Sequence, residues 1–436
     1  MWAYSSVFYQ IYPLGFCQAP LENDHTTINR IGKVLEWTEH ISELGCDAIY
    51  FSPVFESDRH GYDTRDYRKI DCRLGTNEDF SNVCDKLHQA GIKVVLDGVF
   101  NHVGRGFWAF QDVLKNRENS PYKDWFHISF DGNSNYNDGL WYEGWEGHFE
   151  LVKLNLYNKE VTQHLFDCVA QWVKEFHIDG IRLDVAYCLN QEFLRDLRSY
   201  CDTLKKDFFL VGELLHGDYN QFISRDKLHS CTNYECYKGL YSSFNSNNMF
   251  EIMHSLLRQF GAEGWTLYKG KHLLSFVDNH DVSRIASLLT NKEHLPLIYG
   301  LLFGMPGIPC IYYGSEWGAL GRKEDGDQAL RESFEAPVEN ELTELISKLA
   351  KVHKESEALC YGDFSTIVLA NNQVIFQRKS DNERILIAIN ADSAPYEAHF
   401  NAGCGQAVDM ITGETHDFGG GSILPEYSVS YWLMDG

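Results

Sequence analysis

Four short segments gather carboxylates with histidine or arginine nearby where apolar runs end: Asp97-Gly-Val-Phe-Asn-His102, Gly180-Ile-Arg-Leu-Asp184, Val211-Gly-Glu213 and Phe276-Val-Asp-Asn-His-Asp281. A lone Asp in such a place is as often a helix cap or turn residue as a catalyst. Four in one chain exceed what capping explains. Carboxylates around one pocket with Arg and His, and without a metal or phosphate motif, suit glycoside hydrolysis. One carboxylate must be ionised to attack the anomeric carbon while another keeps a proton for the leaving oxygen, and a neighbouring arginine favours the ionised form. Arg182 stands two residues before Asp184, so on a strand both face the same side.

The elements that must position these residues alternate. Apolar runs at 7–12, 48–51, 93–99, 180–184, 208–213, 273–277 and 308–312, with a weaker one at 232–237, read as eight strands. Between them, 34–44, 78–90, 160–176, 191–204 and 249–260 repeat apolar residues at helical spacing. Eight strands each followed by a helix predict an α/β protein with a parallel (β/α)8 TIM barrel, whose active site lies at the C-terminal strand ends. Without a Gly-rich phosphate loop after any strand, an open nucleotide-binding sheet is disfavoured. The expected domains are the barrel (1–102 and 154–357), an inserted subdomain (103–153) rich in Trp, Tyr, Asn, Gly and Asp, and a C-terminal antiparallel β-sandwich (358–436) of short alternating runs.

Composition narrows the partners. The formal charge of −24 and the lack of a basic run exclude nucleic acid and anionic membrane surfaces. Aromatic residues make up 14% of the chain, which fits either sugar-stacking faces or a wide aromatic core. The twelve cysteines contain no C-x-x-C pair and read as reduced thiols. Residues 1–10 lack the basic and apolar regions of a signal peptide, so a cytoplasmic location is expected. The uncharged stretch 295–314 has the length of a membrane span, but its three prolines and four glycines predict a buried helix followed by a short strand.

In order and spacing, the four segments resemble the signature regions of the α-amylase family of glycoside hydrolases. The resemblance runs over about residues 7–318. It implies a barrel with an insertion after the third strand, a C-terminal β-sandwich, and cleavage of α-1,4-glucosidic bonds with retention. It also implies Asp184 as nucleophile, Glu213 as general acid/base and Asp278 as the third carboxylate, gripping sugar hydroxyls. His102, His280, Asp97 and Asn279 would serve the substrate, Arg182 would orient Asp184, and His60-Gly-Tyr-Asp63 would supply Tyr62 and Asp63, with Tyr62 stacking on the sugar. The stretches Phe110-Gln-Asp-Val-Leu-Lys-Asn, Tyr122-Lys-Asp-Trp-Phe-His127 and Lys153-Leu-Asn155 look like the neopullulanase, cyclomaltodextrinase and maltogenic amylase branch, which acts on short maltodextrins, cyclodextrins and sometimes pullulan.

This sequence departs from the pattern in three places. It starts directly on the first barrel strand, without the branch's N-terminal β-domain, so either a monomer or a homodimer is compatible. Ala186-Tyr187 replaces the Lys-His that often lends a carbonyl to calcium, so no cofactor is expected for the chemistry and structural calcium would need other oxygens, around Asn101. Leu214-Leu215 after Glu213 lacks the usual aromatic, which favours α-glucan oligosaccharides over granular starch. The alternatives are a 4-α-glucanotransferase or α-1,6-glucosidase of the same family and, from another class, a non-catalytic glycan-binding relative. Retention of all three carboxylates disfavours the last.

Overall fold

Eight short parallel strands close into a barrel in the computed structural model, which describes residues 1–434. They are β1 (Phe8–Ile11), β2 (Ala48–Phe51), β3 (Lys93–Gly98), β4 (Gly180–Leu183), β5 (Phe209–Gly212), β6 (Ser230–Cys231), β7 (Leu274–Phe276) and β8 (Ile308–Tyr312). Hydrogen-bonded neighbours follow the order β6-β5-β4-β3-β2-β1-β8-β7. The ring closes where the Asn233 N–H donates to the Leu274 carbonyl at 2.9 Å, beside the Thr232–Leu274 bridge.

Alternation along the strands decides what fills the barrel. Phe8, Ala48, Val95, Phe209, Val211, Leu274, Phe276, Ile308 and Cys310 pack together as one buried apolar cluster. Two residues further along their strands, Phe8, Ala48 and Val95 give way to Gln10, Tyr50 and Asp97, all buried. On the strands that follow, Arg182, Asp184 and Glu213 join this polar layer. The barrel is therefore apolar at its base and charged towards the C-terminal strand ends, and the charges share one level with aromatic walls.

The outer helices match the expected periodicity, at Asn77–Gln89, Lys159–Phe176, Gln191–Leu204 and Phe250–Phe260. The first of these opens on a capping box in which the Thr76 hydroxyl accepts from the Asp79 N–H and the Asp79 carboxylate accepts from the Thr76 N–H. Two expectations are corrected. The helix expected at 34–44 is two short turns, Lys33–Glu36 and Thr38–Glu43, which meet at Trp37. The strand expected at 232–237 is the two-residue β6 just before it, because the Asn233 side chain accepts from the Cys236 N–H and starts the helix Tyr234–Asn245. The buried Cys236, Leu240, Ser243 and Phe244 of that helix recur at three- and four-residue spacing, a period that the short segment 232–237 was too brief to show.

After β3 the chain makes an excursion with the helix Trp108–Asn116 and an antiparallel sheet of His102–Gly104, His148–Lys153 and Gly144–Trp145. Part of the aromatic surplus packs on itself here: Trp108, Tyr122 and Trp125 meet edge to face at 4.9 to 5.5 Å, with Trp125 buried and Trp108 exposed. All twelve cysteines are free. The uncharged stretch 295–314 is the helix His294–Gly304 followed by β8, and among the described residues no helix is long and apolar enough to cross a membrane.

Six C-terminal strands form a second, antiparallel sheet: β9 (Asp363–Leu369), β10 (Gln373–Lys379), β11 (Arg384–Asn390), β12 (Gln406–Asp409), β13 (Thr415–Asp417) and β14 (Ser428–Met434), ordered β9-β10-β11-β14-β12-β13. A two-stranded ladder, Tyr396–Ala398 with Ser422–Leu424, accompanies it. The sheet sits on the helix His294–Gly304 through two glycines one turn apart. A Cβ on Gly300 would come within 2.6 Å of Val429, and one on Gly304 within 2.9 Å of the Tyr431 hydroxyl. The Tyr431 hydroxyl donates to the Gly300 carbonyl, and the buried Arg378 donates to the carbonyls of Gly304 and Gly362. Replacement Gly300→Val is expected to lower stability by about 1–3 kcal/mol through overpacking, read as a lower thermal midpoint; an unchanged midpoint would show that this contact does not hold the sheet in place.

Candidate active site

The site is organised by one guanidinium. Arg182, 3% exposed, pairs in register with Asp97 on β3 and Val211 on β5. Its Nη1 donates to both oxygens of Asp97 at 3.0 Å and to Asp184 Oδ1 at 2.8 Å, while Nη2 meets Glu213 Oε1 at 2.7 Å. Asp184 and Glu213 directly follow the register pair Leu183–Gly212, so adjacent strands set them about 5 Å apart at the backbone. Val185 then takes the left-handed conformation (φ 38°, ψ 48°), costly for a β-branched residue, and its N–H donates to Glu213 Oε2 at 3.0 Å.

Burial pushes the carboxyl groups of Asp97, Asp184 and Glu213 above their usual range, against the pull of Arg182. Asp184 is raised further by Glu213 and Asp97, and Glu213 by Asp281 and Asp97. One positive charge facing three buried carboxylates favours a proton shared within the group, so Asp184 and Glu213 titrate together.

Neutral groups surround this charge. Burial pushes His102 and His280 each down to about 3, which keeps both uncharged near neutrality. The Asn101 amide nitrogen lies 3.1 Å from His102 Nδ1, which leaves the His102 proton on Nε2, 3.9 Å from Asp184 Oδ2. The Gln10 amide nitrogen likewise lies 2.7 Å from His280 Nδ1, so His280 Nε2 carries the proton that faces Asp281 Oδ2 at 3.0 Å and the Tyr62 hydroxyl. Tyr62 stacks on His280 with ring centres 5.7 Å apart, and its hydroxyl also reaches Asp97 at 3.2 Å.

A cleft of about 500 Å³ opens above, a size suited to a small ligand. Of the residues singled out in the sequence, Tyr62, His102, Asp184 and Glu213 line it, with His280, Arg182 and Asp97 packed beneath. Asp63 does not reach it; its carboxylate accepts from the His60 and Gly61 N–H groups and shapes the turn that presents Tyr62. Asn279 is also a support: its Oδ1 accepts from the Asp281 N–H and its amide donates to the Tyr234 hydroxyl.

Asp278 requires correction. Its carboxylate accepts from the Ile285 N–H at 2.7 Å and the Ser315 hydroxyl at 2.8 Å, and burial pushes it up to about 6. It does not line the cleft; Asp281 does. The resemblance implied Asp278 as the third carboxylate, but β7 stops at Phe276 and the Asn279 turn brings Asp281 to the cleft. Asp281 has about a third of its side chain exposed (37%) and pairs with Arg331 at 3.0 Å. Burial opposes its charge, but His280 and Arg331 hold it below the usual carboxylate range. In the sequence Asp281 closes the same segment, Phe276-Val-Asp-Asn-His-Asp281.

Loops supply the remaining walls. Trp145, His148 and Glu150 come from the insertion, and Lys323, Asp327 and Arg331 from the segment after β8. Sequence reasoning missed these six, since no local pattern says where a long loop folds back; for Trp145 the aromatic richness of the insertion was the one hint. Asn101, where structural calcium was expected to find oxygens, turns its amide nitrogen to His102 Nδ1, and its main-chain carbonyl accepts from the Leu154 N–H.

Comparison with known proteins agrees with this architecture. The family described as "Alpha amylase, catalytic domain" matches residues 10–355. A cyclomaltodextrinase from a Bacillus species is 30% identical over 420 residues, covering 90% of this chain and 74% of that protein. A solved cyclomaltodextrinase superposes with a TM-score of 0.88 at 27% identity, covering all of this chain and 78% of the other. The cyclic α-maltosyl-(1→6)-maltose hydrolase from Arthrobacter globiformis, in complex with that sugar, superposes with a TM-score of 0.84 at 26% identity and covers 99% of both chains. With the barrel, the strand-end carboxylates and these likenesses together, the chain belongs to the α-amylase family of glycoside hydrolases, on its cyclomaltodextrinase and maltogenic amylase branch.

Proposed function

We propose that this protein hydrolyses α-1,4-glucosidic bonds in maltodextrins and related short or cyclic α-glucans with retention, through a covalent glycosyl-enzyme on Asp184. The observation that carries the reading is the grip of Arg182 on Asp184 and Glu213 from its two terminal nitrogens, with both carboxyl groups open to the cleft. Two neighbouring carboxyls on one guanidinium suit the close spacing of a retaining pair, with no gap for the water that an inverting pair places between them.

In the reactive form the shared proton sits on Glu213. Asp184 Oδ1 is tied to Arg182, so Oδ2 attacks the anomeric carbon as Glu213 gives its proton to the glycosidic oxygen, and the downstream sugar leaves as an alcohol. Water then gives a proton back to Glu213 while its oxygen displaces Asp184 from the anomeric carbon. Asp281 takes the role expected of Asp278, accepting from hydroxyls of the sugar as its ring flattens. His102 Nε2 and Trp145 Nε1 are buried in the cleft wall without a hydrogen-bond partner among the described residues, which suits them to donate to sugar hydroxyls. The chemistry needs no cofactor. The Arthrobacter hydrolase, equal in extent to this chain, acts on a cyclic sugar with α-1,6 links, so cyclic substrates belong in any assay.

Three outcomes are expected. The kcat/KM profile is a bell with a mildly acidic to neutral optimum: rates fall at low pH as both Asp184 and Glu213 protonate, and at high pH as both ionise, with the acid limb above the usual carboxylate range because burial raises both groups. A flat profile from about pH 4 to 9 would contradict the pairing. Second, Glu213→Gln slows substrates with poor leaving groups by about 10²–10⁴-fold but spares the first step on activated aryl or fluoride leaving groups; equal losses would point to another acid. Third, Asp281→Asn lowers kcat/KM on maltotriose by about 10²-fold or more, whereas Asp278→Asn costs less than about tenfold. The reverse order would restore Asp278 to the role.

A further inference from the structure

A second group of reactive side chains lies outside the cleft. His25, Glu56 and Cys72 bring an imidazole nitrogen, a carboxylate oxygen and a sulfur within 4.8 Å of one another. Two of the three are preset. Glu56 is 6% exposed and Cys72 2%, and the Cys72 N–H donates to Glu56 Oε2 at 2.9 Å. The Asn23 amide donates to Glu56 Oε1 at 3.1 Å, while Asn23 Oδ1 lies 3.2 Å from Cys72 Sγ and accepts from the His25 N–H. His25 itself is exposed, on a stretch from 18 to 30 that forms neither helix nor strand. Main-chain bonds tie this stretch down at few points, from the Asn23 N–H to the Asp58 carbonyl and from the Ile28 N–H to the Cys72 carbonyl among them.

We propose that His25, Glu56 and Cys72 form a binding site for a borderline-soft divalent cation of the Zn²⁺ type, which staples residues 18–30 to the chain that follows β2. The donor set selects the metal: thiolate and imidazole suit Zn²⁺ and are poor ligands for Ca²⁺ or Mg²⁺, which take oxygen. Three protein ligands leave a fourth tetrahedral position for Asn23 Oδ1 or a water. Charge balances at the site. Binding sends the Cys72 thiol proton to solvent, and the thiolate, the Glu56 carboxylate and a neutral imidazole then neutralise a dication, which favours a site buried on two of its three sides. Among the described residues Glu56 has only Lys69 as a counter-charge, 3.5 Å away and more than half exposed. The site stands apart from the cleft, as none of its three ligands lines it.

The test uses the full chain, stripped with a chelator and titrated with ZnCl₂ alone against a chromophoric competitor. The wild type should take up one equivalent with Kd below about 1 μM. Variant His25→Ala, which removes an exposed side chain, should raise Kd by about tenfold or more, and the Zn²⁺-induced rise in thermal midpoint should vanish with it. Co²⁺ should give thiolate-to-metal absorption in the wild type and none in Cys72→Ser; should Cys72→Ser not fold, the His25→Ala titration decides. Failure of the wild type to bind Zn²⁺ stoichiometrically, or an unchanged Kd in His25→Ala, would overturn the site and assign any uptake to other thiols such as the half-buried Cys188 and Cys404.

Discussion

One buried guanidinium sets the terms for the rest of the molecule. Arg182 faces Asp97, Asp184 and Glu213 at 2.7 to 3.0 Å, with all four side chains almost fully removed from water. In such surroundings a single positive charge does not neutralise three carboxylates, and removal of either sign would strand the other at a cost of about 3–5 kcal/mol. The arrangement therefore depends on rigid supports. The parallel ladder provides them: register sets Asp97 on β3 beside Arg182 on β4, and Asp184 and Glu213 directly follow the register pair Leu183–Gly212.

The same constraint explains the division of labour around the cleft. The carboxylates held by Arg182 stand on strands or directly at their ends, while further groups that line the cleft come from loops: Trp145 and His148 from the insertion, Lys323 and Arg331 from the segment after β8. Histidines next to the charged layer are kept neutral by burial, so they act as oriented hydrogen-bond donors rather than as competing cations. At Val185 backbone strain serves the site, where a left-handed β-branched residue turns its N–H onto Glu213.

What could be read in the sequence follows from where regular alternation holds. Arg182, Asp184, Glu213 and Asp97 were legible because each lies in a strand or directly at its end, where the two-residue period fixes direction. Asp278 stands off the cleft because β7 ends at Phe276 and the Asn279 turn gives the cleft position to Asp281. The sixth strand was displaced because a two-residue strand has no periodicity and the adjoining helix begins at Tyr234. Arg331 carried no signal of position and Trp145 only the aromatic richness of its insertion, since long-range packing decides where their loops return. The barrel and the C-terminal sheet were legible from patterning, whereas their junction, through Gly300 and Gly304, depends on the absence of side chains that no hydrophobic pattern records.

The proposed route through Asp184 is tested most directly by trapping. In the Glu213→Gln variant, an α-maltosyl fluoride bypasses the need for an acid in the first step, and the second step, which needs a base, is slowed. Peptide mapping by mass spectrometry is predicted to find one maltosyl group esterified to the peptide that contains Asp184. An adduct on the peptide of Asp97 or Asp281, or turnover with an inverted anomeric product and no adduct at all, would contradict the account.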